Sequence, residues 1–506
     1  MTAEPEGYLG AGARITSGPA PELVEAGYAV ELADAPLLHR GLGLADLAQV
    51  VALSEARVLP AAETARLLPV LLELLDVPAE RFPYDPVYGD AYNSRERELE
   101  RRLGTTAGWV HTGRTRREAG RIAFRLALRA RLLDLHEAVG HFVASVARRA
   151  DELADAVWAD STYLQPAQPS TFGHYLGAFG QEAVRHLDRI EAAYRWADTS
   201  PGGVGGVAGT RVPVDRDRLA ALLGFAAPGP HTRDAMWATD GLVDAVLAAS
   251  QAATTVDRLA EDLEIFTSPG FGYVTLDTAL CRASVLLPQK RNPYALAVIR
   301  SGAGTLVGRV TGLLVTQRSP SARTDNWLRA YGEVAGSVEL GRQVVALGER
   351  VVATLAVDRR ALAERAGEHF TGATDLAEAL VLRHGLDYRS AYRVTGRAVA
   401  TAITAGGNGL TAADITAAAA EMLGRPLDVD PALVAEATDP ACCALNRDTP
   451  GGSAPRRVRE HCQVLAERVA AADAWRRERR NAAEAAETAL LAAARRLATP
   501  VIADRS

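Results

Sequence analysis

The segment 282–293, RASVLLPQKRNP, places three side chains suited to proton-transfer chemistry within nine residues: Ser284, Lys290 and Asn292. A serine beside a cation can ionise and abstract a proton. An ammonium group stabilises negative charge that develops on a carboxylate substrate, and a carboxamide fixes the orientation of that substrate. The preceding stretch, 266–277, reads FTSPGFGYVTLD and contains Gly and Pro residues typical of a mobile loop. We therefore expect a loop that covers an anionic substrate.

Lys290 stands out by composition. The 56 basic residues comprise 55 arginines and this single lysine. Surface cations tolerate an exchange of lysine for arginine, but a site that needs a compact ammonium on a flexible stem does not. A functional role for Lys290 follows from this argument, and chance survival of one lysine is the alternative.

Long helical patterns must position this loop. Apolar residues recur at helical spacing over five stretches: 115–160, 172–198, 233–268, 292–318 and 327–356. Such lengths predict an elongated helical bundle. Shorter helices follow from about 364, and a last helix is expected over 456–497. Because no alternating strand series is evident, the sequence predicts an all-α fold.

The composition narrows the class of protein. The chain has 506 residues, 48% hydrophobic and 23% charged, with a net charge of −6. Well-mixed charge of this kind argues against nucleic acid or an anionic membrane as the main partner. The N-terminal MTAEPEGYLG lacks the pattern of a secretory signal, so we expect a cytoplasmic protein. Neither the four cysteines nor the histidines have metal-ligand spacing, and no metal or cofactor is expected.

The loop resembles the signature loop of the fumarase/aspartase superfamily, most of all its argininosuccinate lyase branch. The match is specific at Pro288, Gln289, Lys290, Asn292 and Pro293. Further similar blocks occur in order along the chain: HTGRTRRE at 111–118, TYLQPAQPSTFGHYL at 162–176, LAEDLEIFTSPGFGYV at 259–274, TGATDLAEALV at 371–381, and Asn446–Pro455. The order of the blocks makes chance agreement negligible.

The resemblance implies an architecture. Members have a small N-terminal domain, here 1–111, and a central five-helix bundle, here 112–362 with the signature loop at 269–293. A small helical domain follows, here 363–506. Four central bundles form a twenty-helix tetramer core, and each active site draws on three subunits. The resemblance therefore implies a homotetramer with shared active sites.

It also implies a mechanism and its residues. A proton leaves the carbon next to a carboxylate, and the β-substituent then departs as an amine to give fumarate. The family's base falls on Ser284, although the flanking Ala283 and Val285 depart from the family's pattern. The groups implied to hold the succinyl carboxylates are Arg116, Thr162, Lys290 and Asn292. Gln289 and His111 complete the matched site, His111 either as a structural group or as a support for the site.

Two departures occur together. Most of the superfamily has a histidine where this chain has Tyr163, and a partner glutamate where it has Ala297. Losing both is physically coherent, because a carboxylate without its imidazole would be buried and unpaired. Tyr163 can still donate a proton to a leaving amine.

Other departures concern the amine half of the substrate. Arg117 replaces an asparagine that contacts substrate, and Arg323 replaces a tyrosine. Two added cations would repel a guanidinium and attract an anionic amine. Asn93 and Gln49 stand where the family has histidines.

These observations favour a cofactor-free lyase. It would eliminate an amine other than arginine from an N-substituted aspartate, or add the amine to fumarate in reverse. Specialised metabolism is one setting for such a reaction. The alternatives are a true argininosuccinate lyase of arginine biosynthesis, a catalytically silent structural homologue, and a cycloisomerase that uses the same base and loop.

Overall fold

The computed structural model describes residues 14–15, 17–318, 322–323 and 327–499. Five long helices form its central bundle: α6 (Arg116–Glu152), α7 (Phe172–Ala197), α10 (Asp240–Phe266), α11 (Tyr294–Gln317) and α12 (Ala330–Thr354). They pack against one another, and α6 contacts both α7 and α12 extensively. The predicted all-α fold and its elongated bundle are confirmed.

The N-terminal part precedes this bundle. A short helical run consists of α1 (Pro21–Leu23), a five-residue π-helix (Val24–Tyr28) and α2 (Ala29–Leu32). The longer helices that follow are α3 (Ala35–Glu55), α4 (Ala61–Asp76) and α5 (Ala91–Leu103). Three single 3₁₀ segments lie between or after them: Ala79–Arg81, Pro86–Tyr88 and Gly104–His111. Leucines of α3 and α4 form the centre of a separate apolar core.

The C-terminal part is built of shorter helices: α13 (Arg359–Ala366), α14 (Ala373–His384), α15 (Tyr388–Thr404), α16 (Ala412–Leu423), α17 (Pro431–Thr438) and α18 (Pro440–Asn446). Helices α14 to α17 enclose a third core. The last helix, α19 (Pro455–Ala498), instead packs along α6, α7 and α4. It therefore joins the central and N-terminal cores, although the sequence grouped it with the C-terminal domain. The three domain boundaries remain predictions.

Two small helices lie between α7 and α10 along the chain, namely α8 (Arg216–Leu222) and α9 (Thr232–Trp237). All strands in the described residues form two-stranded ribbons. These ribbons pair β1 (Val157–Thr162) with β2 (Gln165–Thr171), β3 (Thr199–Ser200) with β4 (Ala227–Pro228), β5 (Val274–Thr275) with β8 (Ala356–Val357), and β6 (Arg282–Ala283) with β7 (Arg291–Asn292).

The helical pattern expected over 115–160 ends early. Helix α6 stops at Glu152, and the chain enters β1 at Val157. Strands β1 and β2 form an antiparallel hairpin whose turn lies at 163–164. Alternation of side chains is hidden there, because the register shifts between Asp160 and Ser161 and β2 contains two prolines.

Helix α11 leaves much of its apolar surface uncovered. Among the described residues it is the one helix long and apolar enough to cross a membrane by composition. Only 22% of its most apolar window is buried. Arg300 on this helix pairs with three carboxylates of α10, namely Asp257, Glu261 and Glu264. One face of α11 thus belongs to the bundle, and the opposite face is open.

Candidate active site

The loop that carries Ser284 and Lys290 is held by the β6–β7 ribbon. Arg282 pairs with Asn292 and Ala283 with Arg291. Asn292 Nδ2 also donates to the Arg282 carbonyl oxygen at 3.0 Å, which closes the base of the loop. Ser284 and Lys290 therefore stand at the two ends of the loop, next to its paired strands.

The tip of this loop is open to solvent. Val285 and Leu286 are 108% and 82% exposed, and Lys290 and Gln289 are exposed as well. Ser284 Oγ accepts a hydrogen bond from the Leu287 amide at 3.0 Å. Lys290 forms no ion pair with any described residue. The loop tip therefore presents two apolar side chains and an ammonium that pairs with no described carboxylate.

Thr162 and Tyr163 lie at the tip of the β1–β2 hairpin. Thr162 pairs with Gln165, and the two residues between them, Tyr163 and Leu164, have φ values of 54° and 58°. Two-residue hairpin turns of this type favour Asn and Gly, and an ordinary side chain in the left-handed region costs roughly 1–2 kcal/mol. Tyr163 is 97% exposed. The hairpin thus presents a solvent-exposed phenol on a turn whose backbone is strained.

Arg116 and His111 line a cleft of about 980 Å³ together with Asn93, Glu96 and the segment that contains Arg14. Arg116 is the first residue of α6, where Thr115 caps the helix by accepting from the Glu118 amide at 3.3 Å. The Arg116 side chain lines the cleft, where it is 39% exposed and 3.6 Å from Asp90. A carboxylate of a substrate can reach this guanidinium.

His111 is held beside two polar groups. Its Nδ1 lies 3.0 Å from the Tyr92 hydroxyl and 3.7 Å from a Glu96 oxygen. Burial lowers the pKa of His111, and the Arg114 guanidinium lowers it further. Burial raises the pKa of Glu96. The imidazole is therefore favoured in its neutral form, as a hydrogen-bonding group of the cleft wall.

Arg117 lies in a different environment from the one the sequence suggested. Its Nη1 is 2.6 Å from Glu31 and 3.9 Å from Asp90, and its side chain is 15% exposed. It borders a water-sized cavity of about 20 Å³ next to Asp34, whose pKa burial raises to about 6. The charge of Arg117 is thus already balanced by Glu31, so this residue does not add a free cation to the site.

Arg323 is exposed, and it follows Ala322, whose φ is 63°. The rest of the stretch 319–326 lies outside the described residues, apart from these two. Tyr331, at the start of α12, is buried and accepts a hydrogen bond from Arg121. No contact joins Arg323 to Arg117 in the part of the chain that the structure describes. The expectation that the two arginines act together has no support within one chain.

The loop, the hairpin and the cleft lie on separate elements. No hydrogen bond or ion pair among the described residues joins one of these three parts to another. Each part carries polar groups that can act on an anionic substrate. The loop has a hydroxyl and an ammonium, the hairpin a hydroxyl and a phenol, and the cleft a guanidinium beside a neutral imidazole. Together they suit the binding and deprotonation of a dicarboxylate.

Comparison with known proteins identifies the family. The Lyase family model matches residues 19–308, and the argininosuccinate lyase C-terminal model matches 370–443. Argininosuccinate lyase of Methanoculleus marisnigri is 31% identical over 463 residues, which covers 90% of this chain and 92% of that protein. The Halobacterium salinarum enzyme is 36% identical over 416 residues, with 82% and 84% covered. The chain belongs to the argininosuccinate lyase branch of the fumarase/aspartase superfamily.

Solved structures agree with this assignment. A variant of EDDS lyase with bound fumarate superposes with a TM-score of 0.84 at 27% identity, covering 96% of this chain and 97% of that one. A class II fumarase from Schistosoma mansoni, at 14% identity and a TM-score of 0.67, shares the fold. This member of the branch is accordingly a fumarate-forming carbon–nitrogen lyase.

The lyase differs from the family's common pattern at several polar positions. Ala297 is exposed on the first turn of α11, so no carboxylate stands there to pair with an imidazole. Asn93 and Gln49 are buried and donate to backbone carbonyls, Asn93 to Tyr88 at 2.7 Å and Gln49 to Thr112 at 2.8 Å. Asn93 and Tyr88 both line the cleft, so this bond fixes part of its wall.

Sequence reasoning missed Glu118, which is fully buried beneath the cleft. Its two carboxylate oxygens accept the amides of Gly203 and Gly205, each at 2.7 Å. Burial raises its pKa to about 7. The glycine-rich stretch 201–211 is thereby tied to the start of α6. An acidic residue in the first turn of α6 and a distant glycine cluster were the available signals, but nothing in the sequence connects them.

Proposed function

We propose that this protein is a cytoplasmic, homotetrameric lyase that eliminates an amine other than arginine from an N-substituted aspartate. Fumarate is the second product, and the reverse reaction adds the amine to fumarate. The observation that carries the proposal is the exposed loop on which Ser284 lies close in sequence to Lys290, an ammonium without a counter-ion among the described residues.

Ser284 is the proposed base. It removes a proton from the carbon next to a carboxylate, and the electron pair moves onto that carboxylate. Lys290 and Asn292 stabilise the resulting dianion, as preorganised donors do for developing charge. Arg116 and Thr162 hold the succinyl carboxylates, and Gln289 borders them. The carbon–nitrogen bond then breaks, and the nitrogen takes up a proton.

Tyr163 is the proposed donor of that proton. Its phenol is almost fully exposed in the single chain and sits next to Thr162, so a hydroxyl that binds the succinyl unit and an acid share one turn. The strain of this turn supports a functional role, since left-handed non-glycine residues persist mainly where function or surroundings demand them.

A homotetramer with shared sites brings the three parts together. The open face of α11 supports this arrangement. Gly304, Gly308 and Gly312 recur every fourth residue, and a Cβ at any of them would meet no atom within 4 Å. Apolar side chains of the same helix are about half exposed, among them Val307, Leu314 and Val315. A small-residue face flanked by apolar side chains suits close helix packing against another copy.

A mixing experiment tests the shared site. Homotetramers of Ser284→Ala and of Arg116→Gln should each be nearly inactive. Refolding the two variants together should restore roughly a quarter of the activity, because random assortment leaves that share of sites intact if the residues come from different subunits. No recovery would place both residues in one chain and refute the shared site.

The amine is proposed to bear a carboxylate. Arg116 and Arg14 give the cleft two guanidinium groups, and Arg323 is exposed, whereas Arg117 is neutralised by Glu31. The similarity to EDDS lyase supports an amine other than arginine. The test is the fall in fumarate absorbance at 240 nm with a panel of amines. We expect consumption with carboxylate-bearing amines, and Arg323→Gln should raise the KM of the amine more than that of fumarate.

Argininosuccinate cleavage is the second candidate, favoured by the relatives of that name at 31% and 36% identity. Purified protein incubated with argininosuccinate distinguishes the two. Efficient release of fumarate would return the enzyme to arginine biosynthesis, and its absence together with turnover of another amine would support the first proposal.

A further inference from the structure

The β1–β2 hairpin that carries Thr162 and Tyr163 has a weak backbone ladder of its own. Its second strand contains Pro166 and Pro169, which have no amide to donate. The register also shifts between Asp160 and Ser161. A ribbon with missing bonds, an irregular register and a strained turn needs contacts from outside to fix its tip.

One such contact comes from the C-terminal part of the chain. Arg447 follows α18, and its Nη1 donates to the Pro169 carbonyl at 3.2 Å and to the Cys443 carbonyl at 3.1 Å. Its Nη2 donates to Asp375 Oδ2 at 2.7 Å. The two charged side chains are 22% and 12% exposed. The guanidinium thus joins the hairpin, α18 and the first turn of α14 in one charge-assisted network.

The segment after Arg447 continues along the base of the same hairpin. Thr171 at the end of β2 donates to the Ser453 carbonyl at 3.4 Å. His174 Nε2 lies 3.1 Å from the Gly451 carbonyl. Both residues belong to the junction between β2 and α7. These contacts hold the end of β2, whereas Arg447 reaches Pro169, two residues nearer the tip.

We propose that Arg447, oriented by Asp375, is a positioning residue that fixes the hairpin tip for catalysis. The inference rests on the proposed function, because it assigns the tip the binding and acid groups of the reaction. The planar guanidinium of arginine is required, because it donates to three acceptors in different directions at once. Lysine offers one compact charge and cannot reproduce this geometry.

Hydrogen exchange measured by mass spectrometry tests the clamp without reference to activity. In Arg447→Lys and in Asp375→Asn, amides of 157–171 should exchange at least tenfold faster than in the wild type. The control is Arg397→Lys, which alters an exposed pair with Glu421 at 2.8 Å in the same C-terminal core region. That variant should leave the hairpin unchanged. Unaltered hairpin exchange in folded Arg447→Lys or Asp375→Asn would overturn the proposal.

Kinetics tests the link to the tip. We expect Arg447→Lys to lower kcat at least tenfold with a smaller change in the KM of fumarate. Tyr163→Phe should lower kcat by a smaller factor in the Arg447→Lys background than in the wild type, because a misplaced phenol already contributes less to the reaction. Strictly multiplicative losses would show that Arg447 acts independently of the tip. If Tyr163→Phe alone has no effect, the acid role of Tyr163 fails, and hydrogen exchange still decides the clamp.

Discussion

Asp46→Asn is the substitution for which the structure gives the sharpest expectation. The Asp46 carboxylate accepts from Arg114 Nη2 at 2.6 Å and from Arg95 Nε and Nη2 at 3.3 Å each. All three side chains are at most 1% exposed. Arg114 also donates to the Ala45 carbonyl at 2.9 Å. One carboxylate therefore compensates two guanidinium groups that water does not reach.

Replacing Asp46 by asparagine keeps the shape and removes the charge. Two buried cations are then left without a counter-ion, and the asparagine NH₂ faces a guanidinium as a second donor. Breaking a buried ion pair from one side costs about 3–5 kcal/mol. Since about 1.4 kcal/mol is tenfold in an equilibrium constant, the unfolded population should rise by roughly two to four orders of magnitude.

A matched control exists in the same chain. Asp448 also pairs with two arginines, Arg456 and Arg457, but its side chain is 45% exposed. Solvent screens such a pair and replaces its lost contacts, so Asp448→Asn should leave the urea midpoint within the error of the measurement. Both sites have one aspartate that pairs with two arginines, and they differ in whether the aspartate is buried or exposed.

Urea unfolding followed by circular dichroism measures both variants, with unfolding rates used if the transition is irreversible. Asp46→Asn should also weaken binding of the succinyl unit, because its partner Arg114 lies two residues before Arg116, which lines the cleft. Equal midpoints for Asp46→Asn and Asp448→Asn would refute the argument from burial.

The remaining predictions concern the loop and the buried carboxylate. Ser284→Ala should retain the circular dichroism spectrum and lower turnover at least about a hundredfold, as expected for loss of a positioned base; normal turnover would remove Ser284 from the mechanism. Lys290→Arg should leave the melting temperature unchanged, because Lys290 is exposed. Its turnover should fall by about a hundredfold or more, since the planar guanidinium of arginine cannot replace a compact ammonium beside the dianion. Normal turnover would show that Lys290 is not needed for the reaction. The pKa of Glu118 is raised from 4.5 to about 7, so between these two pH values the folded protein keeps a proton that the unfolded chain has lost. Stability should therefore fall as pH rises from 4.5 to about 7, by up to about 3 kcal/mol. Glu118→Gln should flatten that slope in thermal unfolding at a series of pH values, and an unchanged slope would assign it to another group.

The sequence predicted the long helices well because their signal is local and repeated. The expected stretch 172–198 corresponds to Phe172–Ala197, and 292–318 corresponds to Tyr294–Gln317. Apolar residues at helical spacing over six or more turns leave few alternatives.

Features set by distant contacts were not predictable in the same way. The charge of Arg117 suggested an anionic substrate, but the carboxylate that neutralises it, Glu31, is 86 positions earlier in the chain. The hairpin at 157–171 was hidden because its prolines and bulge remove the alternation that marks a strand. Composition alone pointed to Lys290, whereas Glu118 and Arg447 became visible only through their partners.

The exposed parts of the single chain have a common explanation in the proposed assembly. Val285 and Leu286 lie in solvent on the loop whose ammonium pairs with no described residue, Tyr163 lies in solvent on a strained turn, and α11 presents an uncovered glycine face. Each alone is unfavourable, since apolar surface and strain both cost free energy. Packing of α11 against another copy would cover the glycine face and carry the loop of one subunit towards the cleft of another. The same contact would then supply Arg116 with the hydroxyl and ammonium groups that its own chain holds elsewhere. Stability of the assembly and completion of the site are thus, in this proposal, consequences of one interface.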